Sequence, residues 1–307
     1  MIHSHEQIHQ HNHHDHYSAN NRAFALGIGL NIVFVVIEIV FGLAANSTAL
    51  LADAGHNASD VLSLVFAWTA AWLANRKPVG KFTYGYRKTT ILVSILNALL
   101  LFGAVAVIGW DAVGKFKHPE SVAGDQVMIV AGIGIVINAL TAMLFMKGQK
   151  EDLNIKGAFL HMAADAAVSL GVVISGFLIN QTGLQWIDPV TSFVIIAVIL
   201  WSTWNLFADS VDLAMDAVPG QIDQENVRAM LLSQNGVKEI HDLHIWAMST
   251  TQIALTAHLV MPDGYNNQFI IGLQKELKNK FGIGHTTFQI EKEKIEKGCN
   301  TNCEAVV

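Results

Sequence analysis

The chain has 307 residues, of which 52% are hydrophobic and only 14% charged, with a formal net charge of −6. An ordinary soluble domain is nearer a quarter charged; this composition excludes a disordered chain, and the acidic balance argues against a nucleic-acid binder. A mean hydropathy of +0.38 and fourteen histidines point instead to a membrane protein that deals in protons or metals.

The first 22 residues form a His-rich tail carrying His3, His5, His9, His11, His13, His14 and His16 among Asn, Gln, Ser, Asp and Glu. Such a tract is too polar to fold alone. It attracts metal and raises its concentration at an entrance, and His9, His11, His13, His14 and His16 are its core. It lacks the basic-then-apolar start of a secretory signal. His5-Glu6-Gln7-Ile8-His9 fits HExxH, the zinc-protease signature. That motif must lie on an ordered helix with a third ligand, and a seven-His tract matches it by chance, so an intramembrane metalloprotease is only a remote alternative.

A membrane-spanning helix needs roughly 20 mostly apolar residues. Six segments reach that length, at about 23–43, 48–73, 89–113, 125–146, 157–180 and 187–207. Together they define a transport domain at 23–208. The flanking basic residues set its orientation. Arg22, Arg76, Lys77, Lys81, Arg87, Lys88, Lys147, Lys150 and Lys156 collect on one side, against Lys115 and Lys117 on the other. Both termini are therefore expected in the cytoplasm, with the protein in the cell (inner or plasma) membrane. Gly27, Gly29, Gly42, Gly132 and Gly134 would let the spans approach closely.

Residues 209–295 read as a small polar domain. A helix is expected at 221–233, strands at 237–248 and 252–261, a second amphipathic helix at 265–281 and a third strand at 286–291. The order αββαβ puts helices on one face of a small sheet. A Cys-containing tail, 296–307, ends the chain.

Ionisable residues inside spans are costly and are usually functional or paired. The second span holds Asp53, His56, Asn57 and Asp60; the fifth holds His161 and Asp165. His56 and Asp60 are four apart and share a helix face, and His161 and Asp165 repeat that spacing and order. Two such faces opposed offer two imidazoles and two carboxylates, the ligand number and type of tetrahedral zinc. A pair of interhelical His–Asp hydrogen bonds is the plainer reading of the same residues. Asp53 would sit at the outer mouth of a path, or be a helix N-terminal charge satisfied by water. Glu38 is expected to bond a neighbouring helix rather than line a cavity, and Asn97 and Asn138 to hydrogen-bond between helices.

The runs STALLADAGHNASDVLSL, FTYGYRK, HMAADA and HDLHIWAMSTT together resemble the cation diffusion facilitator family, and most of all its zinc/cadmium/cobalt efflux branch. The resemblance covers nearly the whole chain after residue 20. It implies a homodimeric, proton-coupled exporter of divalent metal with a ferredoxin-like cytoplasmic domain, and transport-site ligands at His56, Asp60, His161 and Asp165. It also implies a cytoplasmic metal site at His241, His258 and Glu291. Gln289 stands where some relatives place a further His, which favours one metal over a two-metal cluster there. His285 is a weaker candidate, and a surface role is expected for His244. Cys299 and Cys303 in CNTNC could add soft ligands, at a longer spacing than the CxxC of relatives; a structural disulfide is not expected in a reducing cytoplasm.

The fold expected is thus a polytopic α-helical membrane protein: six transmembrane helices followed by a cytoplasmic ferredoxin-like αββαβ domain. The function expected is export of Zn²⁺, with Cd²⁺ and Co²⁺, by metal/proton antiport. Zinc would be both cargo and regulatory ligand, with no organic cofactor and no enzymatic activity. A passive metal channel and a membrane-bound metal sensor are the alternatives.

Overall fold

A computed structural model describes residues 14–145 and 153–294, with side chains from residue 29 onward except 64, 67, 71 and 144–159. Six long helices come first: α1 (His14–Ala44), α2 (Thr48–Ala74), α3 (Thr89–Lys117), α4 (Gly124–Phe145), α5 (Leu153–Thr182) and α6 (Ile187–Ala214). Each expected span falls within one of them, apart from a residue or so at the end of the fourth. α1 starts earlier than expected: it takes in His14 and His16, which the sequence reading left in an unfolded tail. Among the described residues, four segments are long and apolar enough to cross a membrane: Thr89–Lys117, Gly124–Met143, Leu160–Thr182 and Ile187–Ala214. The apolar stretch Gly29–Ala44 is shorter. α2, which carries Asp53, His56, Asn57 and Asp60, is not among the four.

Two compact units divide the chain: Met1–Leu62 with Leu101–Leu200, and Ser63–Leu100 with Trp201–Val307. The first is helical. Its α4 and α5 pack along each other because glycines let the backbones meet. A Cβ on Gly124 would lie 2.7 Å from the Gly176 carbonyl oxygen, and one on Gly176 would lie 2.7 Å from that of Gly124. The Phe34 ring of α1 fills the space a Cβ on Gly134 would need. Of the glycines expected at close contacts, Gly42 is also tight, against Leu51, whereas Gly29 and Gly132 have open space. Phe34, Leu50, Val127, Val172, Ile195 and Ile199 form the interior.

The start of α2 is fixed by a buried cap. Ser47 Oγ accepts from Leu50 N at 3.1 Å, as an N-cap side chain does. Asp188, at the start of α6, accepts from Ser47 Oγ, from Thr48 N at 2.7 Å and from Thr48 Oγ1 at 2.7 Å. All three residues are fully buried. A carboxylate at the positive end of the helix dipole holds α2 in place along its axis, and so sets the height of every functional group on it.

In the second unit, Asn97 of α3 donates to Ser63 Oγ of α2 at 2.6 Å, as expected. After α6 come α7 (Gln224–Leu232), β1 (Glu239–Ala247), β2 (Ile253–Val260), α8 (Asn267–Phe281) and β3 (Ile283–Glu291). The αββαβ order is the one read from sequence, with β3 beginning three residues earlier than expected. The sheet order is β1-β2-β3, antiparallel then parallel. Asp223 caps α7 and Asn266 caps α8, and α8 ends on Gly282 at φ 71°. Both helices bury one apolar side, Val227 and Leu231 on α7 and Leu273 and Leu277 on α8, into a core with Leu255 and Leu259 of β2.

Candidate metal centres

The helical unit carries the first centre. Helical spacing of four puts His56 over Asp60 on α2 and His161 over Asp165 on α5, and the two faces meet. His56 Nε2 lies 3.3 Å from Asp165 Oδ1, and His161 Nε2 lies 3.2 Å from Asp60 Oδ2, each across the helix pair. Within a helix the distances are 3.9 Å for His56 to Asp60 and 3.7 Å for His161 to Asp165. Each imidazole therefore approaches both carboxylates. Zinc bonds of about 2.0–2.1 Å in a tetrahedron place neighbouring donors about 3.3 Å apart; His56, Asp60 and Asp165 offer ligand atoms within 4.8 Å of one another, and His161, its ring centroid 6.2 Å from that of His56, reaches both carboxylates from outside that group. Asp60 Oδ2 and Asp165 Oδ2 are buried and receive no well-aimed hydrogen bond. His–Asp contact in this geometry leaves those oxygens without an aligned donor; a cation or protons between the helices would satisfy them. The set is open on one side, with the His161 side chain 44% exposed and that of Asp165 2%.

Asp53 is not at a mouth. It is fully buried and accepts from Ser169 Oγ of α5 at 3.0 Å. The reason is register: Asp53 lies three residues before His56, so it points into the same helix interface rather than outward. Glu38 does bond a neighbouring helix, accepting from Asn57 Nδ2 at 2.9 Å. Asn138 corrects an expectation: it is fully buried, yet neither its amide nitrogen nor its oxygen has a hydrogen-bond partner among the described residues.

The second centre lies on the sheet. His241 of β1 is in register with His258 of β2, and Val260, two residues on, with Glu291 of β3. The period of two brings all three side chains to one face. Glu291 takes His241 Nε2 on one oxygen and His258 Nδ1 on the other, both at 3.1 Å. The imidazole centroids are 4.9 Å apart. Gln289 turns its amide to Glu291 Oε1 at 2.8 Å, so it supports the carboxylate where a His would offer a further ligand.

The sequence reading missed Asp242. A bulge in β1 between His241 and His244 turns it to φ 53°, a left-handed conformation that Asp tolerates better than most residues. Its carboxylate then faces His258 Nε2 at 3.4 Å and the exposed His244 Nε2 at 2.9 Å. The HDLH spacing was the available signal: two histidines three apart in a strand fall on opposite faces unless a bulge intervenes. His285 lies outside this group. It is exposed at the far end of β3, pairs with Ala254 and packs its ring edge-on against Tyr84. At the start of β1 the Lys294 ammonium, 2.7 Å away, holds the Glu239 carboxyl below the usual carboxylate range. Cys299, Cys303, His9, His11 and His13 lie outside the described residues, as do the side chains of His14 and His16.

Comparison with known proteins bears on both centres. Residues 25–213 match the family model of the cation efflux transmembrane domain, and residues 219–293 match that of the cation efflux protein cytoplasmic domain. The chain is 34% identical to the metal cation efflux system protein CzcD of Cupriavidus metallidurans, over 91% of this chain and 89% of that one. It is 34% identical to a cadmium, cobalt and zinc/H⁺-K⁺ antiporter of Bacillus subtilis, over 92% of each chain. With the zinc transporter ZitB of Escherichia coli the identity is 32%, over 95% of this chain and 93% of the other.

Proposed function

The chain belongs to the cation efflux family, and from that membership we propose that it is an integral membrane exporter of Zn²⁺, Cd²⁺ and Co²⁺ working as a metal/proton antiporter. Relatives of this similarity bear the names of metal efflux proteins, zinc transporters and an antiporter. The observation that carries the reading is the meeting of His56, Asp60, His161 and Asp165 with 3.2–3.9 Å between paired donors. Two imidazoles and two carboxylates bind a dication only when deprotonated, so metal and protons compete for one set of atoms. Imidazole changes charge inside the biological pH range. Protons arriving from one side can therefore displace metal loaded from the other, as the helices rock about the set.

In this reading the chain spans the cell membrane six times, with both termini cytoplasmic and two copies forming a dimer. His241, His258 and Glu291 bind a regulatory zinc in the cytoplasmic domain. Flux in proteoliposomes under an imposed pH gradient tests the transport reading. Wild type should move zinc in response to the gradient, and Asp60→Ala and Asp165→Ala should not. Wild-type flux indifferent to the gradient would reject antiport in favour of a channel, and metal binding without any flux would leave a sensor.

A further inference from the structure

Beside the His/Asp set lies a second group of polar atoms that the transport reading does not use. Glu38 of α1 and Asp53 of α2 are both fully buried, and they meet one side of α2: Glu38 bonds Asn57, which stands one helical turn after Asp53. Each has one donor: Asn57 Nδ2 reaches Glu38 Oε2 at 2.9 Å, and Ser169 Oγ reaches Asp53 Oδ2 at 3.0 Å. That leaves Glu38 Oε1 and Asp53 Oδ1 buried with no donor among the described residues. Neither carboxyl pairs with a lysine or arginine there. Two neighbouring negative charges out of water, with no cation beside them, do not both stay ionised, so the pair holds a proton.

We propose that Glu38 and Asp53 form a second proton-binding site, separate from the His/Asp ligand set, that gives up its proton when a divalent cation loads that set. The two sites share their helices. Asp53 precedes His56 by three residues, about 4.5 Å along α2, and Ser169 follows Asp165 by one turn of α5. The ionisable groups that act on the pair from the neighbouring set are His56 on α2 and Asp165 on α5. α4 carries no ionisable residue after Asp125. At the start of α2, Asp188 is taken up by the cap, and Lys115 bonds Asn46 O and Asp111. A dication among the ligands supplies the positive charge that lets both carboxyls ionise. The pair then passes from one shared negative charge to two. The proton leaves its O–H bond for water on the side then open, and returns from the other side when metal departs. The transport role rests on the antiport reading; the shared proton and its release on metal binding do not.

The test uses the full-length protein in detergent, with zinc as the metal. Infrared difference spectra of metal-free wild type against Glu38→Gln should show the carbonyl stretch of a protonated carboxyl, and zinc should remove that band from wild type. Proton release on zinc binding, read with a pH dye, should be lower for Glu38→Gln and Asp53→Asn than for wild type. Zinc affinity should stay within about 10-fold. Absence of the band from wild type overturns the proposal, as does an unchanged proton count in folded variants or loss of zinc binding altogether. Should both variants fail to fold, the band of the wild type and its response to zinc decide alone. A wild type with the band and zinc-linked proton release, but with flux blind to a pH gradient, supports this site and sinks the antiport reading.

Discussion

The two candidate metal centres use nearly the same chemistry on different supports. In the helical unit two imidazoles and two carboxylates sit on two helices, with two carboxylate oxygens left without a hydrogen bond and His161 half exposed. On the sheet two imidazoles close on one buried carboxylate, which also accepts from Gln289. Strand register holds that carboxylate: moving β3 by one residue would turn Glu291 to the opposite face. No such ladder ties α2 to α5, so those helices can shift while each HxxxD face stays intact. A site that must release its metal belongs on elements that move, and a site that must report metal belongs on elements that do not.

The largest expected effect breaks this contrast at its first half. Asp165→Asn or Asp60→Asn should lower pH-driven zinc flux by more than the 10- to 100-fold typical of removing a group that merely supports a ligand, measured in proteoliposomes at matched protein density. The corresponding change on the sheet, Glu291→Gln, should remove the cytoplasmic zinc site yet leave flux at saturating metal. Its effect should be read as a changed dependence of flux on cytoplasmic zinc, with titration of the full chain in an Asp60→Ala background reporting the lost site. If Glu291→Gln abolishes flux as completely as Asp165→Asn, the two centres do not divide the labour as their supports suggest.

A smaller effect sharpens the role of the helices. Ser47→Ala removes a cap side chain and should cost about 1 kcal/mol of stability. Asp188→Ala removes hydrogen bonds to a charged acceptor, at about 1.5–3 kcal/mol each before relaxation. Both should lower the thermal midpoint, and Asp188→Ala should also lower flux, because the height of His56 and Asp60 is set from that cap. A loss of thermal stability in Asp188→Ala with flux unchanged would show that the cap does not set the height of His56 and Asp60.

Much of this was legible in the chain because it is periodic. HxxxD puts two ligands on one helix face whatever the neighbours do, and its repetition in two apolar segments leaves few arrangements. The αββαβ order follows from amphipathic and alternating runs in the same way. What stayed hidden depends on which faces meet. Asp53 shares the side of His56 by register, but what meets it there depends on the neighbouring helices, so its burial against Ser169 was not readable. Asn138 was expected to find a partner because buried amides usually do. Asp242 was hidden because a bulge is one extra residue, with no signature beyond a histidine spacing that a regular strand would not use.

That residue gives the finest test. Asp242 holds φ 53° and lies 3.4 Å from His258 Nε2, while the other nitrogen of that ring faces Glu291. A carboxylate on the far nitrogen of a metal-ligating imidazole orients the ring and makes it more basic, and its loss typically costs 10- to 100-fold in affinity. Asp242→Asn keeps a residue that tolerates the left-handed conformation but removes the charge. It should weaken cytoplasmic zinc binding by about 10-fold, or about 1.4 kcal/mol, with stability little changed. Asp242→Gly relieves the backbone instead and removes the side chain entirely. If the carboxylate orients His258, the two variants should lose affinity alike; if the bulge alone matters, Asp242→Gly should bind as wild type does. Zinc titrations of both variants in the Asp60→Ala background separate the two causes, because both variants lack the carboxylate while both tolerate the left-handed backbone.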